Sequence, residues 1–382
     1  MLFILKRGMF VVWLVAVMVS QSVSAAPTSD EAVDLLARPL DENQVKEGSH
    51  AGVWDLELSL MGPITGGMAC AYEWTENPDY WTAAELGGYY ILWIADVQGN
   101  LLGDEAYCFV QLSEASDDPA SNVWRSALDE WYFSMRRPGY EESTWDYLDY
   151  FEEMDPSTAV FYIAQHAVGA YYVDDIDKKI WRQGLIKYLS RVDDESSFPV
   201  MALGVATWAL AEIGALDGSA VSVYHGAKPY WDGVSLRDLP SLLASHQVPE
   251  GEPFASSFYW RFDHTSGGTG GVVAGYTEDS IYGTLGLVGV ANYASRKGEP
   301  NAVPEEQSEV LVDDLDNKIG AAQSALLEGI DEDGQVYQHL SLSGESYDTY
   351  AGEMLQVLWS VKEYLDAKAE AEAGLELEIE AQ

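Results

Sequence analysis

The sequence predicts an all-α chain in which an outer ring of helices wraps an inner ring. Three observations predict it: segments that are apolar on nearly every side, segments apolar along one stripe only, and alternation of the two kinds along the chain. A helix without a polar face has to be enclosed by protein, whereas a striped helix has one packed face and one wet face. The composition can fill such a core, since 47% of the 382 residues are hydrophobic and 12% aromatic, far more than an acidic disordered chain carries.

The N-terminus reads as an address. Lys6 and Arg7 precede an apolar run over residues 9–19, followed by Ser22, Val23, Ser24 and Ala25. A basic start, a short apolar stretch and small residues make a secretory signal peptide over residues 1–25, cleaved after Ala25 or Ala26. The run is shorter than the roughly 20 apolar residues that span a bilayer. The mature protein is therefore expected to be soluble and secreted or periplasmic. Residues 26–50 read as a linker, 51–366 as one helical domain, and 367–382, acidic and small by turns, as an acidic tail or frayed helix. Export permits a disulfide between Cys70 and Cys108, the only cysteines. Closing that loop is worth about 3–4 kcal/mol on the chain-entropy account; the alternative is two buried thiols.

The elements follow in order. Residues 82–96 are apolar nearly all round, 121–136 weakly striped, and 157–173 again enclosed. In 178–192, Trp181, Leu185, Tyr188, Leu189 and Val192 form a stripe, while Lys178, Arg182, Lys187 and Arg191 face away. Residues 198–216 have no polar side, 236–247 are weakly striped, and 276–293 are enclosed, with Gly283, Gly286 and Gly289 admitting close neighbours. Residues 317–330 carry Ile319, Ala322, Leu326 and Ile330 on one face, and 347–365 close the series. An internal repeat supports the alternation: the Asp-Asp-x-Asp run at 174–177 recurs at 313–316, each opening an outer helix that ends in an acidic turn, 193–195 and 331–334.

The unit from Lys178 through Leu189, Asp193 and Phe198 to Trp208 and Gly214 resembles a squalene-cyclase or protein-prenyltransferase repeat. So does the glycine run at 267–271 with Glu278, Asp279, Tyr282 and Leu285 behind it. The resemblance is to the α/α-toroid superfamily, terpenoid-cyclase and prenyltransferase-like, and implies about six helical hairpins in a closed ring. It covers residues 157–365, and 50–156 loosely. The catalytic signatures of those families are missing. There is no Asp-x-Asp-Asp acid, Asp174-Asp175-Ile176-Asp177 has the wrong spacing for a magnesium-binding Asp-Asp-x-x-Asp, and no Cys-Gly-Glu-Gln thioester occurs. Neither cysteine matches a prenyltransferase zinc ligand. The fold carries over, and no catalytic residue does.

With 63 acidic against 20 basic side chains, a formal charge of −43, nucleic acid and anionic lipid are excluded as partners. In such a ring the loops entering the inner helices gather at one mouth, where function is expected. The richest segment there is Phe258-Tyr259-Trp260-Arg261-Phe262-Asp263-His264. If extended, it sets Tyr259, Arg261 and Asp263 on one side, Trp260, Phe262 and His264 on the other. Tyr259, Arg261, Asp263 and His264 are the catalytic candidates: Tyr or His abstracts a proton while Arg neutralises a uronate in a lyase. Asp263 with Glu278 or Asp279 would instead make a glycosidase pair. The non-catalytic alternative is that Arg261 and Asp263 pair and pin the loop. Trp260, Tyr276, Glu278, Asp279, Tyr282 and His339 are the ligand-binding candidates. His166 reads as a core histidine, and His225 and His246 lack metal spacing. The acidic runs read as helix caps, with calcium as the rival ligand; no other metal or cofactor is expected. The reading that follows is an exported protein binding a neutral glycan, a hydrophobic ligand or a protein at an aromatic mouth. The alternative is a polysaccharide lyase or glycoside hydrolase on the same scaffold.

Overall fold

A computed structural model of the chain describes residues 26–54, 61–136, 143–264, 274–297 and 314–380. The leader, the glycine run at 267–271 and residues 312–313 of the second acidic repeat lie outside them. Six helices form the inner ring: α2 (Met61–Thr75), α4 (Gly103–Glu114), α7 (Pro156–Tyr172), α9 (Pro199–Glu212), α11 (Thr277–Lys297) and α13 (Asp348–Glu380). Each touches the next, and α13 returns to α2, so the ring closes. The outer ring comprises α1 (Ser29–Asn43), α3 (Pro78–Gln98), α5 (Val123–Met135), α8 (Lys178–Leu189), α10 (Leu239–Ser245) and α12 (Leu315–Glu328), with the short α6 (Thr144–Asp149) beside α8. The chain is thus an α/α toroid, as the alternation predicts.

The inner positions are set by burial. Every residue of α9 from Pro199 to Ala211 is buried, and Pro199 starts it where its missing N–H is harmless. In α8 the predicted stripe of Trp181, Leu185, Tyr188 and Leu189 is buried against α7. Glycine lets the inner helices touch backbone to backbone. A Cβ on Gly67 of α2 would stand 2.4 Å from the Gly352 carbonyl of α13, where the ring closes, and one on Gly204 of α9 would stand 2.4 Å from Tyr282 O of α11.

Three expectations need correction. Residues 82–96 fall in α3, which is an outer helix: Tyr89, Trp93 and Val97 are 49–64% exposed. Residues 29–43 are no linker but helix α1, opened by a capping box of Thr28 with Glu31 and packed on α13 and α2. Residues after 366 continue α13, in keeping with the helical alternative for that segment, with Lys368 paired to Asp316 of α12. Cys70 and Cys108 are free thiols, both buried. Cys70 accepts from Gln111 Nε2 at 3.3 Å, and Cys108 donates to Glu105 O on its own helix at 3.1 Å, so each sulfur is used where it stands. No helix among the described residues is long and apolar enough to cross a membrane.

All inner helices run the same way, so their N-termini share one mouth. The long connection to α11 and the connection to α13, with its antiparallel pair β1 (Tyr337–His339) and β2 (Ser343–Ser346), stand over it. Asp155 caps α7 and also accepts from Ser197 N at 3.0 Å, tying two of the entry loops together.

Candidate active site

The mouth holds a crevice of about 470 Å³ between the starts of α9 and α11. Trp260, Arg261, Tyr276, Gln338 and Glu278 line it, with Asp279 beneath. The 258–264 segment pairs as a strand only at Phe258 and Tyr259, with Gln247 and Ala274, and bends from Trp260 onward. The strict two-sided alternation is therefore lost. Trp260 Nε1 donates to Ser197 O at 2.8 Å, its ring lies 5.4 Å from that of Tyr276, and the Arg261 guanidinium sits over it at 4.3 Å. Together these make an aromatic wall.

What pins the loop is Asp194, in the acidic turn after α8. Its carboxylate accepts from Phe262 N at 2.8 Å and Asp263 N at 3.1 Å, and its carbonyl accepts from Arg261 Nη1. Phe262 is buried and stacks on Tyr230 at 4.2 Å.

Glu278 and Asp279 stand in the first turn of α11, where the helix dipole favours negative charge. Consecutive helical side chains point about 100° apart, so the two carboxyls have different surroundings. Asp279 is 1% exposed; its Oδ1 accepts from Met201 N at 3.0 Å and caps α9, whose own N-cap, Phe198, has no side chain to offer. Its Oδ2 has no partner among the described residues. Glu278 faces the crevice. It is wetted there but walled round by protein, and burial pushes its carboxyl up to about 7. Burial, and then the Glu278 charge, hold Asp279 well above the carboxylate range.

More acids stand behind this pair. Glu353, one turn into α13, is 4% exposed and accepts from Tyr282 Oη at 2.8 Å, and its Oε2 is unpartnered among the described residues. Asp104 and Glu105 head α4; Glu105 accepts from Leu102 N at 2.8 Å, while Asp104 Oδ1 has no partner among the described residues. Burial first, then neighbouring acids, raise Glu353 and Asp104 well above the usual range, and burial lifts Glu105 to about 7. At neutral pH such a group shares protons rather than carrying every charge.

The remaining candidates fall elsewhere. Tyr259 and His264 stack face to face at 4.1 Å, and no hydrogen bond among the described residues joins Arg261 to either. Asp263 is exposed on the rim. His339 uses both nitrogens, on Ala274 O at 2.9 Å and Ser341 Oγ at 2.7 Å. His246 bonds Leu242 O at 2.7 Å, and His166 lies between the indoles of Trp131 and Trp181, where burial lowers it to about 3. In the first acidic repeat, Asp175 pairs with Arg136 at 2.7 Å and Asp177 accepts from Thr144 Oγ1 at 2.8 Å. No group of acids, histidines or cysteines among the described residues has metal-binding geometry. Asp194, Glu353, Asp104 and Glu105 escaped the sequence reading. The signal for two of them was present, because Asp104-Glu105 and Glu278-Asp279 both open an apolar inner helix.

No protein-family model and no curated protein sequence matches the chain. Solved structures do match it in fold. The GH76A α-1,6-mannanase of Salegentibacter sp. HEL1_6 is 10% identical at a TM-score of 0.52, over 88% of this chain and 100% of that one. A polysaccharide lyase is 14% identical at 0.52, over 89% and 99%. An unsaturated glucuronyl hydrolase of Bacillus sp. GL1, described as responsible for degradation of glycosaminoglycan, is 15% identical at 0.52, over 86% and 94%. These are glycan-acting toroids. The resemblance to terpenoid-cyclase repeats therefore extends to the shared ring architecture and not to that branch.

Proposed function

We propose that this chain is an exported glycan-acting enzyme, a glycoside hydrolase cleaving a neutral glycan at the crevice between α9 and α11. The observation that carries the reading is Glu278, a carboxyl held near pH 7 beside an aromatic wall. A glycosidase needs a carboxyl that keeps its proton at working pH. In this reading Glu278 gives its proton to the leaving glycosidic oxygen and takes one back from the water that adds at the anomeric carbon, while Asp279, buried and held protonated beneath it, caps α9 and sets the floor of the crevice. Trp260 and Tyr276 offer sugar-stacking faces, and Gln338 a neutral hydrogen-bonding amide. The mannanase neighbour lends support, since a variant of it changed at two consecutive aspartates is described as inactive and was solved with α-1,6-mannotriose.

A neutral substrate fits better than a polyuronate. The one guanidinium at the crevice is engaged by the Asp194 carbonyl and the Trp260 ring, and the acids around it repel uronates. The same fact weakens the lyase alternative, which needs a free arginine beside a Tyr or His base.

The test is incubation of the mature protein with α-1,6-mannan and a panel of neutral and uronate polysaccharides, reading reducing ends and unsaturated-uronate absorbance. New reducing ends without that absorbance, lost in Glu278→Gln, are the expected result. Saturable binding without any new ends would overturn the enzyme and leave a glycan-binding toroid.

A further inference from the structure

The lumen of the ring holds a second cavity of about 920 Å³, opening toward the C-terminal side of the inner helices, opposite the crevice. All six inner helices wall it. Its floor is aromatic: Tyr107 of α4 meets Trp208 of α9 edge-on at 4.8 Å. Beside them Gln111, 7% exposed, gives its Nε2 to Cys70 and has no partner for its Oε1. Four glutamates from four helices surround the opening: Glu73 (α2), Glu114 (α4), Glu212 (α9) and Glu363 (α13).

Basic groups do not balance them. Arg296 of α11 is bonded to Glu212 at 2.9 Å. Lys362 is paired with Asp366 and lies over the Trp74 and Trp359 rings at 5.6 and 5.7 Å. From α7 come only the phenols of Tyr171 and Tyr172, the latter bonded to Ser113 Oγ at 2.7 Å. Glu73, Glu114 and Glu363 have no ion-pair partner among the described residues. The C-terminal ends of five of the inner helices, α13 running on past the rim, add further negative potential, and a recessed mouth focuses it. The acids are spread round the rim and do not converge as metal ligands do. Separated charges around an aromatic floor match a ligand whose own positive charges are separated by apolar spacers.

We propose that the lumen binds a small organic polycation, an aliphatic polyamine in class, with its methylene chain on Tyr107 and Trp208 and its ammonium groups at Glu73, Glu114 and Glu363. The titration of the rim supports this. Partial desolvation by the surrounding wall, then Glu363, Glu212 and Glu73, lift Glu114 to about 7, and partial desolvation raises Glu73 and Glu363, although all three side chains are exposed at the rim. A bound cation reverses the repulsion, so Glu114 gives up its proton as the ligand enters. The ammonium groups stay charged throughout, so affinity should fall about tenfold between about pH 8 and pH 6 as Glu114 is protonated.

The test is calorimetric titration of the mature protein with spermidine at about 0.15 M NaCl, where diffuse surface attraction is screened beyond roughly 8 Å, in two buffers of different ionisation enthalpy. The expected result is one site per chain with proton release. In Glu114→Gln/Glu363→Gln the affinity should fall about a hundredfold, roughly tenfold for each lost charge pair, and the release should vanish. The milder Glu73→Gln should weaken binding without removing the release. A control pair on the outer surface, Glu153→Gln/Asp232→Asn, should change affinity by less than about twofold. Many weak sites, or equal losses in both double variants, would overturn the proposal and show only the attraction of a −43 surface. Glycan cleavage is no part of the readout, so the two proposals fail separately.

Discussion

The two ends of the ring each hold a glutamate lifted to about 7, but by different physics. At the N-terminal mouth, Glu278 is raised by burial alone, in the first turn of a helix whose dipole opposes the shift. At the C-terminal lumen, Glu114 is raised by burial together with three other glutamates, near helix ends whose dipole adds to it. One site is narrow and tied to named hydrogen bonds through Asp194, Asp279 and Tyr282. The other is wide, wetted and electrostatic. The first is built to hold one proton in one place, the second to attract charge from outside.

The largest expected effect breaks this contrast at the N-terminal mouth. Glu278→Gln should reduce glycan cleavage by about 10²–10⁴-fold, the usual contribution of a general acid, while Glu114→Gln leaves the rate unchanged. Reducing-end assays on both variants check it. Equal losses would mean that catalysis belongs to the lumen.

Asp279 separates position from charge. Asp279→Asn keeps an oxygen for Met201 N and should fold normally. Asp279→Ala removes the cap of α9 and should cost about 1 kcal/mol, within the 0.5–2 range for lost N-caps. Denaturant melts distinguish the two for stability. Cleavage should survive in the asparagine variant and fall in the alanine variant, as a positioning residue requires; equal loss in both would mean that the Asp279 carboxyl itself takes part in the reaction.

How much of this was legible depended on whether the deciding contact was local. The seamless apolar surface of residues 198–216 marks an inner helix because nothing on it tolerates water, and the stripe of 178–192 marks an outer one. The 82–96 segment misled because Tyr89 and Trp93 face solvent, so an outer helix carries the composition of an inner one. Helix α2 is missing from the sequence reading for the opposite reason: Gly62, Pro63, Gly66 and Gly67 break up its apolar pattern, yet glycine is what the backbone contact with Gly352 requires. Around the crevice, the nearness of Trp260, Tyr276, Glu278 and Asp279 was legible because acids and aromatics cluster at one helix entry. The role of Asp194 was not, since its bond to Phe262 spans 68 residues and no spacing rule reaches that far.

Stability against pH sharpens the contrast further. Carboxyls raised in the folded state hold protons that the unfolded chain releases near pH 4.5, so the stability they contribute is fully present below that pH. It is lost as pH rises through about 7. The melting temperature should therefore fall between about pH 5 and pH 8. Glu114→Gln should flatten that fall only slightly, because water already reaches its carboxyl.

The smallest effect is also the most discriminating. Salt screens charges that face each other across water and leaves burial untouched. Raising NaCl toward 1 M, where the screening length is about 3 Å, should lower the Glu114 midpoint toward the ordinary glutamate range and leave Glu278 where it is. Carbon-detected NMR titration of the labelled side chains reads both in one sample, and Glu73→Gln at low salt should mimic part of the shift at Glu114. Were both midpoints to move together, Glu278 would be responding to exposed neighbours as well as to burial, and the distinction between a proton-holding mouth and a charge-gathering lumen would collapse.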